Sequence, residues 1–482
     1  MRHRLALVAV GLAATLASAA GIGVRSTYGG AAAVDEPEYL LTALSLGEDR
    51  DLSIADELAE QRWRRFHDVQ LPQQTQPRAD GRAVSPHDPL LPLLIAVPMT
   101  LWGFVGAKLA IAALAGLLAA LTVWTAVRRL AVPVGIAALV VGAFSVTAPL
   151  AVYGQQVYPE LPAALVTLAA IAALLGTLRR RSIAVVVASV VALPWLSVKY
   201  VPVAAGLSGV LLWTLHRAGR SAAVRWAVAV LAIAGAGYLA AHRVLYGGWT
   251  VYASGDHFQE SGEFGVVGFS PNYPGRGSRL VGLLVDRGFG IAAWQPAWLL
   301  LVPGVAAAIK SRPRWLLPVV VPLLLGYLNA TYIALTMHGY WWPGRQLVVV
   351  LPLAVLLIAW AAANASRPVR VGGLILAALG LVNYAWLLVD GYARRITWVS
   401  RFEDVRSPAY RGLRPLLPDY RGLSPRVWAV HFAWIAVLVL MALVAWRRTP
   451  RVNARTTDVR TADVRTADVR SPDGRSPKDA GA

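Results

Sequence analysis

Apolar stretches of roughly 17 to 25 residues recur along most of this 482-residue chain, and a helix of that length crosses a hydrocarbon core of about 30 Å. The composition agrees, because 57% of the residues are hydrophobic, only 15% are charged and the mean hydropathy is +0.53, well above the balance of a soluble domain. These features predict an all-α polytopic membrane protein with about twelve transmembrane helices. The candidate helices lie near residues 5–24, 107–127, 133–152, 161–178, 183–198, 200–215, 222–244, 290–308, 315–335, 346–363, 371–389 and 428–446.

The charges between these helices predict the orientation of the chain. Alternate short connections are rich in arginine and contain no Asp or Glu, whereas the acidic residues lie in the other connections and in the C-terminal tail. By the positive-inside rule the basic connections are cytoplasmic. A multi-pass protein of the cell membrane with both termini in the cytoplasm is therefore expected. Three long segments then lie on the outer side, at residues 25–106, 245–289 and 390–427.

The formal net charge of +20 follows from this topology and not from a nucleic-acid surface. The basic residues are scattered over short loops between apolar helices and form no continuous stripe, so nucleic acid is not an expected partner. The absence of cysteine excludes disulfides, a thiolate nucleophile and a Cys-ligated zinc site.

The predicted organisation is one transmembrane domain, residues 1–446, followed by a tail, residues 447–482. The tail repeats a five-residue unit of balanced charge, as in "RTADVRTADVR", and is expected to be disordered and cytoplasmic. The first outer segment is expected to hold two juxtamembrane helices. One is an amphipathic helix in "EDRDLSIADELAEQRWRRF", flanked by Ser53 and Asp56, and the other is the short Pro-broken "LLPLLIAVPMTLWG". The N-terminal apolar run could instead be a cleaved signal peptide, and the residues that follow it lie outside in either case.

An acidic group, "DEPEY", follows the first apolar run. One interpretation is a helix start, with Asp35 as the N-cap and Glu36 and Pro37 in the first turn, where the helix dipole favours acids and proline lacks no needed donor. The other is catalysis, because a carboxylate just outside the membrane is well placed to take a proton from an acceptor hydroxyl. The two are compatible, since a capped helix can hold a base in position.

In the order of its motifs the chain resembles the polytopic GT-C glycosyltransferases, in particular bacterial enzymes similar to protein O-mannosyltransferases and to the aminoarabinose transferase of lipid A. The resemblance covers roughly residues 5–360 and includes a departure, His87-Asp88-Pro89 where those families usually show His-Pro-Pro. It implies an inverting transfer of a sugar from a polyprenyl-phosphate carrier to an acceptor glycan, lipid or protein on the outer side of the membrane. The motifs that carry it are "DEPEY", "SPHDPLLPLL", "VYPELPAAL" at the fourth helix, "SVKY" between the fifth and sixth, and "HGYWWPGRQLVVVLPL" before the tenth.

Such a transfer needs a base for the acceptor hydroxyl and cations for the departing phosphate, and no nucleotide or redox cofactor, because the donor is already activated. Asp35 is the expected base, with Glu36 or Glu160 as a second carboxylate that orients the acceptor or the sugar. Lys199 is one of only four lysines and stands among apolar residues. It is expected to meet the phosphate together with Arg345, whose planar guanidinium suits that group.

The matched motifs add His87, Asp88, Tyr158 and Tyr200 as expected substrate-binding residues. An alternative for Lys199 is that it snorkels to the outer headgroups with Tyr200 as an aromatic anchor. The two tryptophans before Arg345 could stack on a sugar or belong to the aromatic belt. No metal is predicted, because no ligand spacing such as HExxH occurs, and a divalent ion held by His87 and Asp88 is the alternative.

Two other classes of membrane protein share the polytopic form. A secondary transporter usually places ionisable residues near the bilayer midplane within related repeats, whereas this chain has no convincing internal repeat and its ionisable groups gather at the outer ends of the helices. A polymerase or ligase of surface polysaccharide is expected to use a different group of outer-loop residues. The sequence therefore favours the glycosyltransferase.

The topology makes a labelling prediction. Gly262, in an outer segment, and Ser311, in a basic connection, are replaced singly by cysteine in this cysteine-free chain. An impermeant maleimide applied to intact cells is expected to label the cysteine at position 262 and to leave the one at position 311 unlabelled, because the membrane separates them. Equal labelling of both positions would contradict the orientation.

Overall fold

The structure is a computed structural model that describes residues 1–450 except 73, 76, 255–271, 335 and 423. The predicted tail beyond residue 450 and Gly262 lie outside the described residues. Within them the secondary structure is helical, apart from isolated bridges. The α-helices are α1 (Arg2–Ala19), α2 (Glu36–Glu48), α3 (Ala55–Ala59), α4 (Leu90–Arg129), α5 (Val134–Ser145), α6 (Leu150–Tyr153), α7 (Glu160–Leu174), α8 (Arg180–Leu196), α9 (Val201–Arg217), α10 (Ser221–Leu245), α11 (Tyr273–Arg276), α12 (Arg279–Val285), α13 (Ile291–Trp294), α14 (Leu301–Ser311), α15 (Leu316–Leu328), α16 (Leu351–Asn364), α17 (Arg367–Tyr392), α18 (Pro408–Leu413) and α19 (Pro425–Arg448).

Short 3-10 and π turns extend several of these helices. Two 3-10 turns matter for the site, Val198–Tyr200 before α9 and Arg345–Val350 before α16, and a π turn, Asn329–Ile333, continues α15. Other 3-10 turns are Arg62–Arg65, Val251–Ser254, Pro296–Leu300, Phe402–Asp404 and Arg414–Leu416.

Seven helices of the described chain are long and apolar enough to cross a membrane: Leu90–Arg129, Val198–Arg217, Ser221–Leu245, Leu316–Ile333, Arg345–Asn364, Arg367–Tyr392 and Pro425–Arg448. The remaining predicted spans coincide with helices that are shorter or less apolar, namely α1, α5, α7, α8 and the run Pro296–Ser311. The structure thus confirms an all-α membrane protein. The count of twelve transmembrane helices stays a prediction.

Helix α4 joins two segments that the sequence analysis kept apart. The stretch predicted as a separate juxtamembrane helix and the following transmembrane helix meet at Gly103, whose φ of 63° and ψ of −160° are not helical, so the 40-residue range consists of two helices joined at a kink. At about 1.5 Å per residue a straight helix of this length would be about twice as long as the hydrocarbon core is thick. The bend falls at glycine because this residue adopts positive φ without a steric penalty. Before the bend, α4 buries Leu91 and Ile95 and exposes Val97 and Trp102, so one face packs on the protein.

The amphipathic helix predicted between residues 48 and 66 is interrupted. Only α3 and the 3-10 turn Arg62–Arg65 form, and Gln61 between them has a φ of 55°. Ser53 does not cap a helix, because its hydroxyl accepts from the Ala83 backbone amide at 3.2 Å and Ile54 takes the N-cap position. Arg62 forms ion pairs with five carboxylates, those of Glu48, Asp49, Asp56, Glu57 and Glu60. One continuous helix could not bring all five to Arg62, because a helix rises about 1.5 Å per residue.

The burial of Ser311 makes another position preferable for the labelling experiment. Ser311 is buried, and its hydroxyl donates to the Ala307 carbonyl at 2.9 Å, so a cysteine there would react slowly on either side of the membrane. Arg314 in the same connection is exposed and is the better position for testing the predicted cytoplasmic side.

Candidate active site

Four charged side chains from distant parts of the chain form one bonded group, called here the ion cluster: Asp35, Glu160, Lys199 and Arg345. Arg345 donates from Nη2 to Asp35 Oδ2 at 2.5 Å and from Nε to Glu160 Oε1 at 2.8 Å. Lys199 Nζ donates to the same Glu160 oxygen at 2.5 Å. Glu160 is fully buried, whereas the side chains of Asp35 and Lys199 are each 20% exposed. The ion cluster therefore holds two anions and two cations and is open to solvent at Asp35 and Lys199.

Each member of the ion cluster stands at the end of a helix. Asp35 directly precedes α2, Glu160 begins α7, Lys199 lies in the 3-10 turn before α9, and Arg345 begins the 3-10 turn before α16. Gly344 makes the approach to Arg345 possible, because its φ of 86° lies in the left-handed region that favours glycine. The structure thus brings four predicted site residues together, although Asp35 and Arg345 are 310 positions apart.

Aromatic rings hold the Arg345 guanidinium in place. Its carbon lies 4.2 Å from the centre of the Tyr158 ring and 5.6 Å from that of Trp341, within the range of cation–π attraction. The Tyr158 hydroxyl donates to the Ala33 carbonyl at 3.2 Å. Trp342 points elsewhere and is fully buried, with its ring 5.2 Å from that of Trp294. Of the two tryptophans before Arg345, only Trp341 is therefore beside the ion cluster.

Asp35 occupies the N-cap position of α2, but its side chain makes no cap hydrogen bond. The capping interpretation is wrong in this respect, because the carboxylate is bonded to Arg345 instead. Burial by itself raises the pKa of Asp35. The Arg345 guanidinium, followed by the charges of His87 and Lys199, outweighs this effect and lowers the pKa to about 2. Asp35 is therefore ionised at neutral pH.

The Glu36 side chain is directed into the protein, and its carboxylate accepts hydrogen bonds from other groups of the chain. It is fully buried, and its carboxylate accepts from the Ser26 hydroxyl at 2.8 Å and from the Val157 backbone amide at 2.8 Å. Lys108 Nζ lies 3.7 Å from the same group. These contacts engage the Glu36 carboxylate with groups of the protein, and its expected catalytic role stays a prediction. They tie the segment that carries Asp35 to the segment that leads to Glu160.

Lys108 is a residue of the site that the sequence analysis missed. It lies within α4, is fully buried, and donates to the Ala31 carbonyl at 3.3 Å and to Gln155 Oε1 at 3.5 Å. The signal that could have found it is its place inside an apolar run, since an intramembrane cation is costly and usually has a partner or a function. Its partner is Glu36, the first residue of α2.

Asp88 also has bonds to other groups of the protein. It is buried, and its carboxylate accepts from the Val198 backbone amide at 3.0 Å and from the Tyr238 hydroxyl at 3.0 Å, and contacts His242 Nε2 at 2.9 Å. Its expected substrate-binding role stays a prediction. Because Val198 begins the turn that carries Lys199, Asp88 fixes that turn to α10. Asp88 is paired with His242 and not with His87, so the geometry does not support a metal site at His87 and Asp88.

His87 and Tyr200 remain available to a substrate. The His87 ring stacks on Tyr39 with 4.5 Å between centres, and burial lowers the pKa of His87. The ring of Tyr200 lies 5.3 Å from Lys199 Nζ. Within the described chain, His87 Nε2, the Tyr200 hydroxyl and Glu160 Oε2 are buried and have no hydrogen-bond partner. Buried polar atoms are normally bonded, so these three atoms mark a place for water or a polar ligand.

Metal ligation has one further candidate among the described residues. Oxygen atoms of Asp49, Asp56 and Glu57 lie within 4.8 Å of one another. Arg62 donates to all three carboxylates and supplies the positive charge there. The absence of a metal from the predicted mechanism stays a prediction.

The comparisons with known proteins concern the fold. No model of a known protein family matches the chain, and no curated protein matches it. Among solved structures, ArnT from Cupriavidus metallidurans bound to undecaprenyl phosphate is similar, with a TM-score of 0.52 and 14% sequence identity over 92% of this chain and 72% of ArnT. This similarity confirms the GT-C-like fold expected from the sequence.

The buried pair of Lys108 and Glu36 makes a stability prediction. Lys108→Met is expected to lower the free energy of unfolding by about 3–5 kcal/mol, because it leaves the Glu36 carboxylate buried without its cation. The measurement is thermal or denaturant unfolding of the purified protein in detergent.

Glu36→Gln combined with Lys108→Met removes both charges and is expected to recover most of that loss. Lys310→Met is the matched control, since Lys310 lies in the last turn of α14, remote in sequence from this pair. A double variant as unstable as Lys108→Met would contradict the pairing.

Proposed function

We propose that this protein is an integral membrane glycosyltransferase that moves a sugar from a polyprenyl-phosphate carrier to an acceptor hydroxyl on the extracytoplasmic side, with inversion at the anomeric carbon. The ion cluster carries the proposal, because it joins two cations suited to a phosphate with a carboxylate suited to a hydroxyl. The GT-C-like fold supports it. ArnT, the similar solved structure, is bound to undecaprenyl phosphate, and we extend that class of ligand to this chain.

Lys199 and Arg345 are the proposed phosphate partners. Both donate to the same oxygen, Glu160 Oε1. Each side chain also carries N–H groups that these bonds do not use, and a phosphate could accept from them. The donor phosphodiester brings one negative charge, and a second develops as the bond to the sugar breaks. Cations already in place stabilise that developing charge without reorganising. Glu160 balances them while the site is empty.

Asp35 is the proposed general base. It removes the proton from the acceptor hydroxyl as the acceptor oxygen bonds to the anomeric carbon from the side opposite the phosphate. The bond from that carbon to the phosphate oxygen breaks, and its electron pair leaves with the polyprenyl phosphate. The Arg345 bond makes Asp35 a weak base in the empty site. A phosphate that draws the guanidinium away raises the basicity of Asp35 when the donor is present.

The other predicted residues divide into two groups. His87, Tyr158 and Tyr200 border the ion cluster and are proposed to shape the sugar site, since polar atoms of His87 and Tyr200 lack protein partners. Glu36 and Asp88 are proposed to position the segments that carry Asp35 and Lys199. The acceptor, whether glycan, lipid or protein, reaches the site from the side where Asp35 and Lys199 are exposed.

Substitution of Asp35 tests the base. Asp35→Asn keeps an oxygen that accepts from Arg345, so the protein is expected to fold and insert as before. It loses the proton acceptor, and general-base loss typically lowers the rate by about 10² to 10⁴. The assay is transfer of labelled sugar from a polyprenyl-phosphate donor in membranes with matched protein levels.

Asp80→Asn is the control for this change, because Asp80 is an exposed aspartate of the same outer segment that is also bonded to an arginine, Arg82. It is expected to be silent. Full activity of Asp35→Asn would rule out Asp35 as the base.

Substitution of Lys199 tests the phosphate site. Lys199→Met keeps the length of the side chain and removes its charge, and is expected to weaken donor binding by about 1.5–3 kcal/mol, the value of a lost charge-assisted hydrogen bond. The measurement is binding of a labelled donor to purified protein in detergent. Lys310→Met is the control, and unchanged affinity in Lys199→Met would show that Lys199 pairs with Glu160 without meeting the phosphate.

A further inference from the structure

One helical turn after Asp35, α2 buries another carboxylate, that of Glu38. The residue is 1% exposed. Its Oε2 accepts from the Thr75 hydroxyl at 2.9 Å, while its Oε1 is buried and has no partner among the described residues. In the described chain no cation forms an ion pair with Glu38, in contrast to Asp35, Glu36 and Glu160. A buried carboxylate without a cation is costly to keep charged, so Glu38 binds a proton more readily than an exposed glutamate does.

The groups around Glu38 act in opposite directions on its pKa. Burial is the largest influence and raises the pKa to about 7. The charge of Asp35 raises it further, whereas the hydrogen bond from the Thr75 hydroxyl lowers it. Asp35 and Glu38 are three positions apart at the start of one helix, which places them on the same face.

The helix packed against α2 adds no positive charge at Glu38. That helix is α4, and its buried lysine, Lys108, is directed to Glu36 and Ala31. The two carboxylates of one turn therefore lie in different surroundings: Asp35 has a bonded guanidinium, and Glu38 has only neutral donors.

We propose that Glu38 receives the proton that Asp35 removes from the acceptor hydroxyl, so that the two carboxylates form a proton relay. This rests on the proposed function. The acceptor O–H bond breaks as the new C–O bond forms, and the proton is first held by Asp35. The proton then passes to Glu38 Oε1, directly or through one water molecule. Asp35 returns to its carboxylate form, and Glu38 releases the proton to solvent before the next turnover.

The relay gives the proton a place to go once Arg345 again favours the charged form of Asp35. When the polyprenyl phosphate departs, Arg345 bonds to Asp35 again, and the protonated form of Asp35 is disfavoured at that moment. Transfer to a neighbour with a higher pKa is then downhill. Pairs of titratable groups whose surroundings separate their pKa values are a recurring arrangement for acid–base chemistry.

Glu38→Gln tests the relay, because the amide keeps the size of the side chain and still accepts from Thr75 but takes up no proton. In the wild-type protein kcat/KM is expected to fall as the pH drops below about 7, since Glu38 is then already protonated. In Glu38→Gln we expect a rate at least about 10-fold lower and loss of this acidic limb of the pH profile.

Two variants are compared with Glu38→Gln. Thr75→Val removes the hydroxyl that stabilises the charged form of Glu38, so it is expected to move the acidic limb to higher pH while transfer continues. Glu57→Gln is the matched control. Glu57 is also fully buried and burial raises its pKa to about 8, but its partner is Arg62, so the change is expected to leave the limb where it is.

The pH dependence of stability is a readout independent of transfer. Because the folded-state pKa of Glu38 is raised, its contribution to stability is complete below the unfolded-state value and is lost as the pH rises through about 7. The Tm of the wild-type protein is therefore expected to fall more than that of Glu38→Gln between about pH 5 and about pH 8. Equal pH dependence of the two Tm values would overturn the relay.

The outcomes separate the relay from the proposed function. Transfer by the wild-type protein with an unchanged acidic limb in Glu38→Gln overturns the relay alone. Failure of the wild-type protein to transfer sugar from any polyprenyl-phosphate donor overturns the proposed function and the relay with it. Loss of the limb in Glu38→Gln, a shifted limb in Thr75→Val and an unchanged limb in Glu57→Gln together support the relay.

Discussion

The need to pair buried charges at the edge of a membrane organises this structure. Moving a carboxylate or an ammonium group out of water costs several kcal/mol or more unless an opposite charge and further hydrogen bonds compensate it. Glu160 meets this requirement with Lys199 and Arg345, and Arg345 extends the bonding to Asp35. Because these residues stand at the ends of separate helices, their bonds also fix how those helix ends meet.

The same pairing explains how neighbouring carboxylates come to differ. Asp35 directly precedes α2, and Glu36 and Glu38 lie in its first turn. Asp35 is bonded to Arg345 and Glu36 lies against Lys108, whereas Glu38 accepts from the neutral Thr75 hydroxyl. A nearby cation favours the charged form and burial favours the neutral one. One short segment therefore holds three carboxylates in three different electrostatic surroundings.

Around the ion cluster, a second set of contacts holds in place the segments that carry its members. Val157 donates to Glu36 and Val198 donates to Asp88, so the approaches to Glu160 and Lys199 are each fixed by a buried carboxylate. Such supporting contacts hold reactive groups within the narrow geometry that catalysis requires. Glu36 and Asp88 are both acids in a polar segment beside an apolar helix, which is the setting in which the sequence predicts site residues.

The sequence alone determined the helices and four members of the site. Apolar runs specify membrane helices through a property of consecutive residues, and isolated charges beside them single out Asp35, Glu160, Lys199 and Arg345. What each polar residue does was decided by the tertiary structure. The partners of Glu36 and Asp88 lie up to 121 and 154 positions away. The difference in pKa between Asp35 and Glu38 depends on the packing of Arg345 against Asp35. Hydropathy is a local property, whereas desolvation and ion pairing depend on which distant segments pack together, and only the folded chain specifies that.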